Sequence, residues 1–345
     1  MANLQGKVPE KRLEKFLLMV TLLLIFIIAA RTPLDSDLWW HLRSGEETIN
    51  SGTPLLHDEF SYTKYGSDWI NHSWLSQVIL YFVFMWGKYL GLSLFVSILA
   101  VSSMLFVWFQ LEDHGVIGAF ITIFGSIVAS VVWSPRPQIT SLVFFGIVSY
   151  LLFLYKWRGI DRLWLLVPIF IIWSNLHGGF PLGFMLVGLM IIGECINKIL
   201  NNQEPKQLSG RKIIQLMMWL IIASLAVMLN PNGFSTWIIP FKTIGVEVLQ
   251  NFVSEWASPD FHELFQQPFI WLLIGILAAI GFSGRRLDGT DFLTVGLFAY
   301  LSLMARRNYG PFALVATPVL SRYLWAAGQS WLEREPAISL LDWFR

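Results

Sequence analysis

Hydrophobic residues run through this chain in long blocks, not in the alternation of a strand or the narrow stripe of a soluble helix. An apolar stretch of about 20 residues crosses the hydrocarbon core of a bilayer as a helix. Blocks of this kind fall at residues 13–30, 90–110, 116–132, 139–155, 163–173, 180–196, 213–229, 268–282, 292–304 and 311–320. The pattern predicts an all-α fold: a polytopic membrane helix bundle of roughly ten transmembrane helices. A further apolar block at residues 74–86 is short for a span and reads as a juxtamembrane or re-entrant helix. Residues 31–89 then form a long first loop that carries juxtamembrane helices. The expected organisation is one transmembrane domain over residues 1–329 and a short cytoplasmic amphipathic tail over 330–345. The first block leads into Arg31-Thr32-Pro33 with no small-residue cleavage pattern, so it reads as a permanent helix.

Lysine and arginine near the block ends set an orientation, because cytoplasmic loops hold the excess of both. Lys7, Lys11, Arg12 and Lys15 place the N-terminus in the cytoplasm. If residues 74–86 do not cross, three alternate loops share that side. They carry Lys156, Arg158 and Arg162; Lys198, Lys206, Arg211 and Lys212; and Arg285 and Arg286, and they read as plain solvated connectors. The opposite, exoplasmic face collects Asp35, Asp37, His41, Arg43, His57, Asp58, Glu59, Trp69, His72, Arg136, Asn175, His177, Asn230, Asn232, Glu255, Trp256, Asp260, Arg306, Arg307 and Asn308. This asymmetry places any chemistry on the exoplasmic, or periplasmic, face of a plasma (inner) membrane protein. The spans are nearly free of charge, Glu194 near a cytoplasmic end excepted.

Composition narrows the classes further. Charged residues make up 14% of the chain and hydrophobic ones 55%, against roughly 25% charged in a soluble domain. The 17 tryptophans suit interfacial belts. A formal net charge of +1 gives no support to nucleic-acid binding. Cys195 is the only cysteine, which excludes an intramolecular disulfide and a multi-thiolate metal site.

The exoplasmic segments hold the candidate chemistry. Asp35 and Asp37 directly follow the first span, ahead of Trp39, Trp40, His41 and Arg43. A carboxylate pair at a membrane surface is costly to keep ionised. It can act as general base, hold a divalent cation such as Mg or Mn, or cap an interfacial helix. His57 and Asp58, with His72 further along the same loop, offer metal ligands or turn-forming polar groups. Arg136 sits between Pro135 and Pro137, where a fixed guanidinium suits a phosphate or snorkels at the interface. Asn175 and His177 precede Gly178-Gly179, which serves either a ligand contact or a tight hairpin. Arg306 and Arg307, followed by Asn308, run against the positive-inside tendency, and an anionic ligand such as a phosphate accounts for them. The segment 245–264, with Glu255 and Trp256, is long enough to cover a site.

An acidic pair just after the first span, in a long first exoplasmic loop, resembles the GT-C superfamily of membrane glycosyltransferases. The later step His72-Ser73-Trp74-Leu75 into a juxtamembrane helix does so too. That superfamily includes the protein O-mannosyltransferases and the lipid A aminoarabinose transferases. Within it the chain looks most like a branch of bacterial membrane proteins with an Asp-x-Asp-x-Trp-Trp-His-Leu pattern and later Asn-x-His-Gly-Gly and Ala-Arg-Arg-Asn elements. Here these are residues 35–42, 175–179 and 305–308. Mannosyltransferases show His-Pro-Pro where this chain has His72-Ser73-Trp74. The resemblance implies inverting transfer of a sugar from a polyprenyl-phosphate donor to a hydroxyl of a lipid, glycan or protein acceptor. Asp35 or Asp37 would serve as base or metal ligand, and Arg136, His177, Arg306 and Arg307 would hold the donor phosphate. Trp39, Trp40, His41, Arg43, His57, Asp58, His72, Asn175 and Asn308 are the expected substrate contacts. The alternatives are a carrier for a lipid or solute and a non-catalytic subunit of this shape that binds membrane lipids or a partner protein.

Overall fold

A computed structural model describes residues 7–200, 207–244 and 252–334. Twelve α-helices stand among the described residues, with no strand beyond an isolated bridge between His57 and Asp68. Five helical stretches are long and apolar enough to cross a membrane: Trp74–Trp108, Gln138–Arg158, Pro181–Ile199, Gly210–Leu229 and Leu264–Phe282. Their outward faces carry large apolar side chains such as Ile221, Leu225, Trp271 and Leu277, as a lipid-facing surface requires.

Helix α1 (Lys7–Ala29) stops where Pro33 removes a backbone donor. Helix α2 (Leu38–Ser51) buries Leu38, His41, Leu42, Gly45 and Thr48 on one face and leaves Arg43 outside, paired with Glu46 and Glu47. Gly45 lies directly on the Gln77 carbonyl of α3 (Trp74–Trp108), with no room for a Cβ. The long α3 is broken at Lys88, whose φ of 48° no helix tolerates. A Cβ on Gly91 would lie 2.7 Å from the Val83 carbonyl oxygen. Eight residues along a straight helix span about 12 Å, so the chain doubles back at Lys88. Leu80 and Leu92 accordingly share one apolar cluster with Leu38 and Leu42 of α2. The segment 74–86 is thus a separate arm from the helix that follows it.

The rest of the bundle comprises α4 (Val116–Ala129), α5 (Gln138–Phe153), α6 (Leu166–Leu176), α7 (Pro181–Ile199), α8 (Gly210–Ala226) and α9 (Ser235–Ile244), then α10 (Gln267–Phe282), α11 (Gly289–Met304) and α12 (Tyr309–Arg334). A π-helical turn, Leu154–Arg158, extends α5. Prolines at the first turns of α7 and α10 sit where a missing N–H costs nothing. α12 is buried on every side from Tyr309 to Tyr323, as an all-round apolar helix should be. It runs past residue 329 to Arg334 without a break, and the tail beyond lies outside the described residues.

Alternate helices deliver the chain breaks to two ends of the bundle. At one end Arg31 binds the Ser130 carbonyl, the Trp74 indole donates to Asn175 Oδ1 at 2.9 Å, and Asn230 donates to the Ser174 carbonyl at 2.8 Å. At the other, Gln215 donates to Asp161 at 2.5 Å and the Leu208 N–H to Glu194 at 2.6 Å.

This second end corrects one expectation. Lys156 is not a solvated loop cation: its side chain is 0% exposed, and its ammonium lies 2.6 Å from both Glu194 and Asp288. The π turn draws Lys156 inward, where the Thr290 hydroxyl at 3.1 Å completes its contacts. One turn on, Arg322 pairs with Asp291 at 2.5 Å and lies over the Trp157 ring.

Candidate functional site

The residues that converge at the first end start with the acidic pair. Asp35 Oδ1 accepts the backbone N–H of Asp37 at 2.9 Å, which folds the chain tightly ahead of α2. Asp37 occupies the N-cap position, yet its side chain caps nothing. Both carboxylates turn instead to Arg136, which the Ser134–Pro137 turn between α4 and α5 presents. Arg136 Nη2 binds Asp37 Oδ2, Nε lies 3.6 Å from Asp35 Oδ1, and Nη1 donates to Glu255 Oε2 at 2.7 Å. The other oxygen of Glu255 lies 3.7 Å from Arg307 Nη1, and the Arg307 guanidinium stacks 4.1 Å above the Trp256 ring. One backbone contact joins the two segments: the Arg306 N–H donates to the Ala257 carbonyl at 3.2 Å.

Asp35, Ser36, Arg136, Glu255, Arg306 and Arg307 all line a cavity of about 370 Å³. Two groups on its wall are uncommitted. The Arg306 side chain has no hydrogen-bond or ion-pair partner, and Asp35 Oδ2 has no hydrogen-bond partner, among the described residues. Burial pulls the Arg136 pKa down, but Glu255, Asp35 and Asp37 more than reverse this and raise it. Arg307 moves the other way, because burial and Arg136 outweigh Glu255. It is therefore the less well compensated of the two guanidiniums.

Behind the cavity lies a histidine layer. His41, buried on α2, has its pKa lowered to about 3 by burial, with Arg136 and His72 adding to the effect. The His72 and His177 rings lie 6.0 Å apart. His177 Nδ1 accepts from the Ser141 hydroxyl at 2.7 Å and from the Gly179 N–H at 3.1 Å, while the Trp173 indole donates to the same Ser141 oxygen at 2.7 Å. This fixes the ring neutral, with its proton on Nε2. Burial first, then His72 and the arginines, hold His177 well below the ordinary histidine range. Burial lowers His72 as well. His177 therefore supports the wall and does not line the cavity.

Other expected contacts lie elsewhere. Asn175 joins Trp74 to the Ile171 carbonyl, and Asn308 donates to the Leu301 and Ala305 carbonyls, so both close helix ends. Trp39 packs on Phe84 and Tyr89, and Trp40 stacks on His41 and Trp69. His57 pairs with Asp68 in the exposed loop. Asp58 accepts from Ser61 and Phe60, which lowers its pKa; these hydrogen bonds make a turn. Arg43 serves its own helix.

A divalent cation fits poorly at the acidic pair, because Asp35 and Asp37 converge on a guanidinium that already supplies the positive charge. Glu255 is a site residue that the sequence does not single out. Its signals are its place in the exoplasmic polar set and its position ahead of Trp256, in a segment long enough to cover a site. Compared with known proteins, the chain matches no family model and no curated protein.

Proposed function

We propose that this chain is a membrane glycosyltransferase of the GT-C type. It transfers a sugar from a polyprenyl-phosphate donor to an acceptor hydroxyl at the exoplasmic face. The observation that carries this reading is the cavity that Asp35, whose Oδ2 has no hydrogen-bond partner among the described residues, lines together with Arg136, Arg306 and Arg307. In the topology that supports it, ten helices cross the membrane, with α2 and the first arm of α3 at the exoplasmic surface and the cavity on that side.

The chemistry follows from the placement of charge. The acceptor hydroxyl oxygen attacks the anomeric carbon as the bond to the phosphate oxygen breaks. Asp35 takes the hydroxyl proton. The donor phosphodiester carries one negative charge and leaves as a phosphomonoester dianion. Arg306 and Arg307 meet the charge that develops, and donors so placed contribute about 3–4 kcal/mol each. Asp37 holds Arg136, and Arg136 in turn orients Asp35 through Nε.

Turnover of a polyprenyl-phosphate sugar by the purified protein tests the reading. Asp35→Asn should lower kcat on the order of a hundredfold or more and change donor affinity little. Full activity in both Asp35→Asn and Asp37→Asn would rule the mechanism out. A carrier reading gains one observation, the buried ions Lys156, Glu194 and Asp288. They lie at the far end of the bundle from the cavity, whereas carriers gather charge at the midplane.

A further inference from the structure

The Glu255 carboxylate bridges two guanidiniums on the cavity wall, with one oxygen 2.7 Å from Arg136 and the other 3.7 Å from Arg307. A phosphate would be held by the same two groups in the same bridging manner, because guanidinium forks bind planar carboxylates and phosphates alike. We infer that Glu255 is an internal stand-in for the donor phosphate, occupying the Arg136–Arg307 clamp until a polyprenyl-phosphate headgroup displaces it. The inference rests on the donor-lipid reading of the cavity and adds how that site is kept closed.

Charge balance supports the exchange. Asp35, Asp37 and Glu255 all pair with Arg136, and Arg306 and Arg307 line the same cavity, so three carboxylates balance three guanidiniums. A phosphodiester entering beside Glu255 would leave an excess negative charge in a partly buried site, which is costly. If Glu255 swings out, the monoanionic donor takes its place and neutrality returns. Transfer then adds one negative charge to the phosphate while Asp35 gains a proton, so the site stays neutral through the reaction. Glu255 can leave with little disruption. It sits on a single 3-10 turn, Ser254–Trp256, none of whose residues is buried. Trp256 supplies the second hold, through its ring against Arg307.

Binding of a long-chain polyprenyl monophosphate to the purified full-length protein in detergent tests this. Neutral polyprenol and inorganic phosphate serve as comparison ligands. Glu255→Gln should bind the polyprenyl phosphate roughly tenfold more tightly than wild type, with polyprenol unchanged. Glu255→Ala should do the same, which keeps the test valid if one variant folds poorly. Equal or weaker binding in both variants, with loss of binding in Arg307→Ala, would overturn the stand-in role and leave the donor-lipid reading intact. Tightening for inorganic phosphate as large as for the lipid would identify a free-phosphate site and overturn the lipid assignment. No polyprenyl-phosphate binding by wild type or either Glu255 variant would overturn both.

Discussion

Arg136 Nη1 lies 2.7 Å from Glu255 Oε2, joining two residues 119 positions apart in the chain. The contact ties the α4–α5 turn to the segment ahead of α10, and Asp37 of the first loop binds the same guanidinium from another side. Three stretches that the sequence keeps far apart are therefore held by one side chain that is 21% exposed.

Replacing Arg136 with methionine should leave three partly buried carboxylates facing one another. The expected loss is about 2 kcal/mol, between the ~1 kcal/mol of an exposed pair and the 3–5 kcal/mol of a buried one. Adding Asp37→Asn to Arg136→Met should restore part of that loss, because it removes one of the stranded charges. Thermal unfolding of the two variants in detergent checks this. A double variant less stable than Arg136→Met alone would mean that Asp37 does not act through Arg136.

His41 should make the protein sensitive to acid. Its pKa is pushed from 6.5 to about 3 by burial, aided by Arg136 and His72. The unfolded chain takes up this proton near pH 6.5, whereas the folded chain refuses it down to about pH 3. The contribution is full above the unfolded value and is lost as pH falls through that window, at about 1.4 kcal/mol per pH unit for one proton. Melting temperatures of wild type and His41→Gln between about pH 7.5 and 4.5 read the effect. The variant should show the shallower decline, and parallel profiles would contradict the assignment.

Lys156 is the other residue whose removal should be severe. Lys156→Met strands Glu194 and Asp288, both of which lie 2.6 Å from the ammonium in a fully buried setting. A loss of about 3–5 kcal/mol is expected, large enough to appear as failed expression or a markedly lowered melting temperature. Adding Glu194→Gln should recover part of it. A melting temperature near that of wild type for Lys156→Met would show that the cluster is hydrated or already neutral.

The helical architecture was legible because apolar blocks report directly on burial in lipid or core. The break ahead of residue 90 was legible too, since Trp74–Trp86 is short for a span and Gly87-Lys88 interrupts it. Asp35, Arg136, Arg306 and Arg307 were legible because charge at a membrane interface is costly and stands out, and the structure brings all four to one cavity. Glu255 was not, because its partners are set by how distant helices pack. Lys156 misled for a different reason. A lysine at a helix end reads as a cation reaching for water, and nothing local announces that Asp288, 132 residues away, neutralises it indoors. Asn175, His177 and Asn308 carry the right polarity for ligand contacts, but their hydrogen bonds are spent on closing helix ends and bracing the wall.

The most direct test of the donor-site claim is native mass spectrometry of the purified protein with its co-purified lipids, comparing wild type with the Arg306→Ala, Arg307→Ala double variant. A polyprenyl phosphate or its sugar adduct bound to wild type and lost in the variant is the expected result, and its mass would identify the donor. Absence of any isoprenoid lipid from wild type, or equal retention in the double variant, would contradict the account.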